Sequence, residues 1–550
     1  MEYLRLLAEA TAGLVAGVEA RDPATLSHRP SMRGVKTLVA AFAAPESPRH
    51  RDASVLSAAG PLLDRLERMQ RPDGLFDSEN LASPPDTCFT VNDAALVLDV
   101  IAAHPDPLLE GVAERIRALL LRTVEALLVG GVHTPNHRWE LTAGLLRLHA
   151  LTGDARLRER ADEWLAEGID LQADGLYSER SPNYAAYVSN PSLLVIAEAT
   201  GEERYRDAVR RNLAVTLDLL EDDLQVETVQ SRRQDQTERF DGRSFLSQFR
   251  EFAVADGDGR FAAVVRAILD LGVTEPEIHL AEALARPHLA GALPASAPWC
   301  SSGTAVFTES GLVRVRAGAV SASVFGGSDV PRHRRIASGL ANSAVLVRAR
   351  RGALVVEAVR VSPHFFGLGP FRPESIVAGP RIVLSTRVEA GYHQPLPPSA
   401  RRPDGDYELG SEGRFFGSMS FPARATSTVA LETRAEVSVD EHGVELALDF
   451  AGTDTSWVGE IVLRPGGVLS GVEEPADGAF LIPSGGTARY RVGADTLEIG
   501  PGTGSAPDRP PVFDPGELVE YVGGRDRIEG LRLLVTGRTS APAVLRLRFS

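Results

Sequence analysis

The side chains best suited to moving protons fall in two short stretches. The first, Gly130-Gly131-Val132-His133-Thr134-Pro135-Asn136-His137-Arg138-Trp139-Glu140, brings an amide, two imidazoles and a guanidinium to an interruption between apolar helical runs. The second, Asp174-Gly175-Leu176-Tyr177-Ser178-Glu179-Arg180-Ser181-Pro182-Asn183-Tyr184-Ala185-Ala186-Tyr187, adds three phenols at another. Polar groups placed at breaks between helices can converge on a cleft instead of filling a core. Together they can hold an anion, take a proton and return one without a cofactor.

A third polar break, Glu227-Thr228-Val229-Gln230-Ser231-Arg232-Arg233-Gln234-Asp235-Gln236, precedes Arg239. Arg232, Arg233 and Arg239 offer forked donors that grip carboxylates through paired N–H groups, and Arg138 offers another. Structural roles compete for each residue. Asn136 after Pro135 can cap the helix that begins near Arg138. Trp139 suits a core or a sugar-stacking platform, and Tyr177 can bind substrate or pack its loop as Phe76 does. Glu140 and Glu179 are expected to orient partners rather than hold metal.

The elements that must position these groups are helical. Over residues 1–290 apolar residues recur at helical spacing, as in Leu62, Leu63, Leu66 and Met69, or Ala94, Leu96, Val97, Val100 and Ile101. Asp73-Gly74-Leu75-Phe76-Asp77 and Asp174-Gly175-Leu176-Tyr177-Ser178 repeat one turn, which suggests stacked helix pairs in an α/α toroid. Prolines interrupt the pattern over 291–303, a linker. From residue 304 to 550 the alternation is that of strands, for example Leu312-Val313-Arg314-Val315-Arg316, predicting an antiparallel β-sandwich with a separable last layer from about residue 435. The fold class is therefore an incomplete-barrel α/α toroid followed by a β-sandwich.

Composition narrows the chemistry. Two domains are the natural division of 550 residues, and a formal charge of −16 opposes general attraction to nucleic acid or anionic membranes. Lys36 is the only lysine, which disfavours a Schiff base and leaves no Walker phosphate loop. No run of apolar residues is long enough to span a bilayer, and the start lacks a signal-peptide pattern, so a cytoplasmic location is expected. Cys88 and Cys300 read as free, buried thiols rather than a disulfide framework. No HExxH, zinc-ribbon, EF-hand, GxSxG or GxGxxG pattern occurs, and no metal or cofactor is assigned.

The Asn136-His137 pair in a helical break, the Asp-Gly-x-aromatic-x-Glu-x-Ser-Pro segment that follows, and the toroid-then-sandwich order resemble the heparinase II/III-like and oligoalginate-lyase polysaccharide lyases. The resemblance implies β-elimination at a uronic acid in an oligo- or polysaccharide. Asn136 then donates to the substrate carboxylate, and His137 binds it or acts as base. Tyr187, favoured by spacing over Tyr184, serves as the acid. It also implies a place over the cleft for His333. The family's His-x-His-x-Asp pattern is reduced here to His333, with Arg335 and Ala337 at the other positions, so no metal is carried over.

Two other classes remain open. A toroid glycoside hydrolase would use a facing pair among Asp73, Asp77, Glu79, Asp86, Asp93, Glu140 and Glu179. A non-catalytic glycan-binding protein would need aromatic platforms and no reactive phenol.

Overall fold

A computed structural model describes residues 2–78, 81–300, 302–333, 340, 342–474, 478–504, 511–516 and 528–550, the side chains of Ser78, Arg332 and His333 excepted. The chain divides into two compact units, Met1–Ser301 and Ser302–Ser550.

Twelve longer helices make up the first unit among the described residues: α1 (Glu2–Glu19), α2 (His28–Ala43), α3 (Ala59–Met69), α4 (Pro84–Ala103), α5 (Glu110–Val129), α6 (Pro135–Thr152), α7 (Ala155–Leu165), α8 (Asn190–Thr200), α9 (Glu203–Leu219), α10 (Leu246–Ala255), α11 (Gly259–Leu271) and α12 (Pro276–Ala285). The even-numbered helices pack on one another in a ring: α2 on α4, α4 on α6, α6 on α8, α10 on α12 and α12 back on α2. Between α8 and α10 the ring is thinner, and contact runs through the turns Ala185–Ser189 and Gly242–Phe245 and a hydrogen bond from Asn190 to Gln248. Odd-numbered helices lie outside, each on an inner neighbour.

Burial follows this layering. Asn136 to Leu146 of α6 are buried without a break, whereas α7 buries only Leu157, Ala161 and Leu165. Because each inner helix is entered from an outer one, the inner N-termini gather at one end of the toroid.

One turn builds that end three times. After α3, the loop after α7, and α9, the chain closes an isolated antiparallel bridge: Gln70 with Phe76, Leu171 with Tyr177 and Leu220 with Val226. In each, the aspartate carboxylate accepts the N–H two residues on, from Leu75 (3.1 Å), Leu176 (3.4 Å) and Gln225 (3.2 Å). The next residue turns with positive φ: Gly74 at 88°, Gly175 at 84° and Leu224 at 63°. Glycine is favoured there for its freedom at positive φ. It also admits the neighbouring helix, since a Cβ on Gly74 would lie 1.9 Å from the Arg122 carbonyl oxygen.

Among its described residues the second unit holds two eight-stranded sheets. In the first, the spatial order is Ala479–Leu481, Leu531–Arg538, Ser456–Leu463, Leu354–Pro363, Val347–Arg351, Val320–Phe325, Leu312–Ala317 and Gly303–Phe307. In the second it is Ser375–Val377, Ile382–His393, Thr426–Asp440, Gly443–Gly452, Ala543–Phe549, Asp495–Gly500, Ala488–Val492 and Val468–Ser470. Neighbours are antiparallel apart from Ala479–Leu481 beside Leu531–Arg538. Alternate residues such as Val359, Ile461, Val437 and Leu446 fill the core between the sheets, as a sandwich requires.

Strands beyond residue 435 are woven into both sheets: Ser456–Leu463 lies between Leu354–Pro363 and Leu531–Arg538. The expected separable layer is absent because those strands complete the sheets that begin at Gly303. Glu460, fully buried, is held by Arg360 and by Arg532 at 2.7 Å. Cys88 is buried and Cys300 only half-buried, both as free thiols. No helix among the described residues is long and apolar enough to cross a membrane.

Candidate functional site

The entry into α6 sets the position of Asn136. Thr134 takes the extended N-cap conformation and Pro135 starts the helix, so Asn136 falls in the first turn with its side chain buried. It is not the cap. Its Nδ2 donates to Thr134 Oγ1 at 3.2 Å and to Glu179 Oε2 at 2.7 Å, while its buried Oδ1 has no hydrogen-bond partner.

Glu179 carries the contact onward. Arg233 approaches its carboxylate at 3.3 Å, donates from Nη2 to the Tyr184 hydroxyl at 3.2 Å, and lies over the Tyr184 ring at 4.6 Å. Burial pushes the Glu179 carboxyl above its usual range, opposed by Arg233 and Asn136. The result is one chain of contacts, Asn136–Glu179–Arg233–Tyr184, drawn from three separate breaks in the sequence.

Backbone anchors fix that chain. Asp235 accepts from Ser181 Oγ at 2.8 Å, from the Asn183 N–H at 3.2 Å and from Ser231, tying the arginine loop to the start of the tyrosine segment. Arg232 is used in the same joint: its N–H donates to the Glu179 carbonyl at 2.9 Å and its Nη1 to the Ser178 carbonyl at 2.8 Å. Arg180, between these residues, takes a positive φ of 53°, a costly conformation for a non-glycine residue.

His137 stands beside the chain. Its ring meets His133 edge-on at 4.5 Å and Phe89 at 6.1 Å. Burial, reinforced by His133, lowers its pKa to about 4, so the imidazole is neutral near pH 7 and free to accept a proton. Arg29 caps the Phe89 ring at 3.7 Å and pairs with Asp86, and both charges act on His137.

Other candidates lie elsewhere. Arg138 binds Glu167 and the Gly168 carbonyl, each at 2.8 Å, and stacks on Trp139 at 4.2 Å. Trp139 is 1% exposed, with Nε1 donating to Asp170 at 2.9 Å. Both are parts of the α6–α7 packing, and neither face is open to a sugar. Tyr177 is buried and donates to Asn190 Oδ1 at 2.7 Å, packing its turn as Phe76 does. Arg239 is half-buried in the arginine loop. The side chain of His333 lies outside the described residues.

Tyr187 parts company with Tyr184. Its hydroxyl donates to Glu275 Oε2 at 2.5 Å and meets Ser244 Oγ at 2.7 Å. Burial and the Glu275 hydrogen bond hold its pKa well above the usual phenol value. Residues Ala185–Ser189 form a wide π turn, which rotates Tyr187 away from the face that an α-helix would share with Tyr184.

Each described carboxylate considered for hydrolysis is engaged. Asp73 and Asp77 pair with Arg71 in an exposed turn, Asp86 with Arg29, Asp93 with Lys36 at 2.6 Å, and Glu179 as above. Glu140 accepts from Asn92 Nδ2 at 2.7 Å and Ser192 Oγ at 3.1 Å, and burial raises its pKa to about 7. Glu79 lies outside the described residues. Among the described residues there is no cluster of three or more His, Cys, Asp or Glu side chains able to hold a metal ion.

Sequence reading missed Arg29 and Phe89. Their signal was faint: Arg29 sits beside His28 and Pro30 at the start of α2, an inner N-terminus like that of Asn136.

A ring of paired helices followed by an antiparallel sandwich is a fold that this chain shares with a solved polysaccharide lyase. Chondroitin AC lyase from Streptomyces coelicolor A3, solved in complex with chondroitin sulphate, aligns at a TM-score of 0.54 and 13% identity, over 100% of this chain and 76% of that one. A tyrosine-to-alanine mutant of that lyase aligns at 0.50 and 13%, with the same coverage. Heparan sulfate lyase HepC from Pedobacter heparinus aligns at 0.43 and 10%, over 95% of this chain and 75% of that one. At 13% identity the property shared with the chondroitin AC lyase is the fold. No family model matches the sequence, and no curated protein matches it.

Proposed function

We propose that the protein is a carbon–oxygen lyase that cleaves a uronate-containing oligo- or polysaccharide by β-elimination. The observation that carries the reading is the Asn136–Glu179–Arg233–Tyr184 chain beside a neutral His137. The fold shared with a lyase solved on chondroitin sulphate supports an acidic glycan as partner.

The chemistry follows from the charges. Loss of the C5 proton puts negative charge on a carbon next to a carboxylate, so that carboxylate must be neutralised by donors. Arg233 and the Asn136 amide supply them, and in the free protein they hold the Glu179 carboxylate in that role. Inner-helix N-termini gathered at this end add favourable partial positive charge. His137, unprotonated, takes the C5 proton. Tyr184 gives its proton to the departing glycosidic oxygen, and the guanidinium of Arg233 beside it offsets the charge left behind.

Tyr184 takes this role in place of Tyr187, whose proton is committed to Glu275. Arg232 keeps the loops together rather than gripping sugar.

The test is product chemistry. Incubation with a panel of uronate polymers and oligosaccharides is expected to yield a new C4=C5 double bond, read as ultraviolet absorbance with an unsaturated sugar at the new end. New reducing ends without that absorbance would point to hydrolysis and end the lyase reading.

A further inference from the structure

Inside the helical ring lies a cavity of about 770 Å3, within the roughly 300–1,000 Å3 of small-molecule sites. None of Asn136, Glu179, Arg233 and Tyr184 lines it. Arg29 and Phe89 do, and the Phe89 ring meets His137 edge-on at 6.1 Å. The cavity therefore adjoins the reaction chain, one aromatic ring away from the proposed base, and offers room for a sugar beside the one that reacts.

The cations of its wall fall into two groups. Lys36 is paired with Asp93, Arg33 with Glu275 and Glu277, Arg147 with Asp99, and Arg286 with Glu282, so these charges are answered within the protein. Arg21 and Arg29 stand apart: they flank the connection from α1 to α2, at the end of the toroid where the inner helices begin. Arg21 is exposed, and its side chain forms no ion pair or hydrogen bond among the described residues. Its neighbour Asp22 serves the next turn, accepting the Ala24 N–H at 2.9 Å. Arg29 keeps 41% of its side chain exposed while Nη2 holds Asp86 and the guanidinium lies 3.7 Å from the centre of the Phe89 ring. A guanidinium fixed on an aromatic face by one carboxylate loses little freedom when a second oxyanion reaches it. An exposed arginine lining the same cavity adds Coulomb attraction that weakens with salt.

We propose that Arg21 and Arg29 form a subsite for a second anionic group, a carboxylate or a sulfate on the sugar next to the one that loses its C5 proton. The preferred glycan then carries negative charge on adjacent sugars. The inference rests on the lyase reading and deepens it, because it names the charge pattern of the substrate. Arg233 and Asn136 answer the carboxylate at the reacting sugar, and Arg21 and Arg29 answer its neighbour's.

Isothermal titration of the full chain carrying Tyr184→Phe reads binding without turnover. The probes are three oligosaccharides of equal length: glucuronate alternating with N-acetylgalactosamine, the same chain O-sulfated on the hexosamine, and an all-uronate chain. At least one of the last two is expected to bind about tenfold tighter than the first at low salt, and which one does so tells sulfate from carboxylate. Adding Arg21→Gln, at an exposed position, is expected to cut that preference to about threefold or less while leaving the affinity for the first chain unchanged. Arg29→Lys keeps the charge without the fork and should weaken the preference as well. Both variants are checked for an unchanged melting profile. Equal affinity for all three chains, no measurable binding of either doubly charged chain, or a preference intact in both folded variants would overturn the proposal. Unsaturated product from the wild type beside equal affinities would end the subsite and leave the lyase reading. An Arg21-dependent preference without unsaturated product would end the lyase reading and leave the anion subsite.

Discussion

Glu179 accepts a hydrogen bond from Asn136 Nδ2 at 2.7 Å, so the amide proposed to meet a substrate carboxylate is held by the protein's own carboxylate. Arg233 completes the arrangement from the other side at 3.3 Å. Glu179 thus holds one buried and one half-buried donor in place. Glu179→Ala removes the carboxylate that both donors share, leaving Asn136 only Thr134 and Arg233 only the Tyr184 hydroxyl of the contacts described above, and is expected to lower stability by about 1–3 kcal/mol in chemical denaturation. Glu179→Gln, which keeps the shape and one acceptor, should recover part of that loss. Equal stability of all three proteins would remove Glu179 from the site's architecture.

The pH dependence of elimination should bear the mark of His137. Its folded pKa of about 4, set first by burial and then by His133, means that the base stays unprotonated well into acid. The acid limb of kcat/KM is therefore expected near pH 4. A limb near the ordinary imidazole value of 6.5 would mean that a different group takes the proton.

Glu140 predicts a stability trend of opposite sense. Burial lifts its pKa from 4.5 to about 7, so the folded state favours the protonated acid. Its contribution is fully present at low pH and is lost as pH rises through that window. Glu140→Gln cannot ionise. Its unfolding free energy relative to wild type should therefore improve between pH 5 and about pH 8. A difference that stays flat with pH would show that Glu140 is not buried as an acid.

The repeated turn yields a further expectation. Gly74 and Gly175 both turn at positive φ, and a Cβ would lie 1.9 Å from the Arg122 carbonyl oxygen in the first and 2.7 Å from Val215 Cγ1 in the second. Alanine at either is expected to destabilise the protein by about 1–3 kcal/mol through backbone strain alone. Gly74→Ala should be the worse, because a backbone carbonyl yields less readily than a side chain. The reverse order in thermal melts would contradict this account of the turn.

Much of this was legible in the residues, and the exceptions have physical causes. Asp73-Gly74 and Asp174-Gly175 announced a repeat because glycine at the corner is visible. The third copy hid because Leu224 takes the same left-handed corner, at φ 63°, without a glycine to mark it. Asn136, His137 and the arginine loop stood out as polar breaks between apolar runs. Arg138 and Trp139 instead contact the loop after α7, and because α6 is buried without a break from Asn136 to Leu146, helical spacing could not tell one face from another. Tyr184 and Tyr187 are three residues apart, which in an α-helix means one face. The π turn at Ala185–Ser189 breaks that rule and sends them to Arg233 and Glu275 respectively.

The decisive measurement compares Tyr184→Phe and Tyr187→Phe with the wild type in the unsaturated-product assay, on whichever uronate glycan the wild type cleaves. Tyr184→Phe is expected to lose a factor of about 10²–10⁴ in kcat with its fold intact, the usual worth of a positioned general acid, while Tyr187→Phe keeps most of the rate. A fully active Tyr184→Phe, or an inactive but folded Tyr187→Phe, would contradict the assignment of the reacting phenol to the Asn136–Glu179–Arg233 chain.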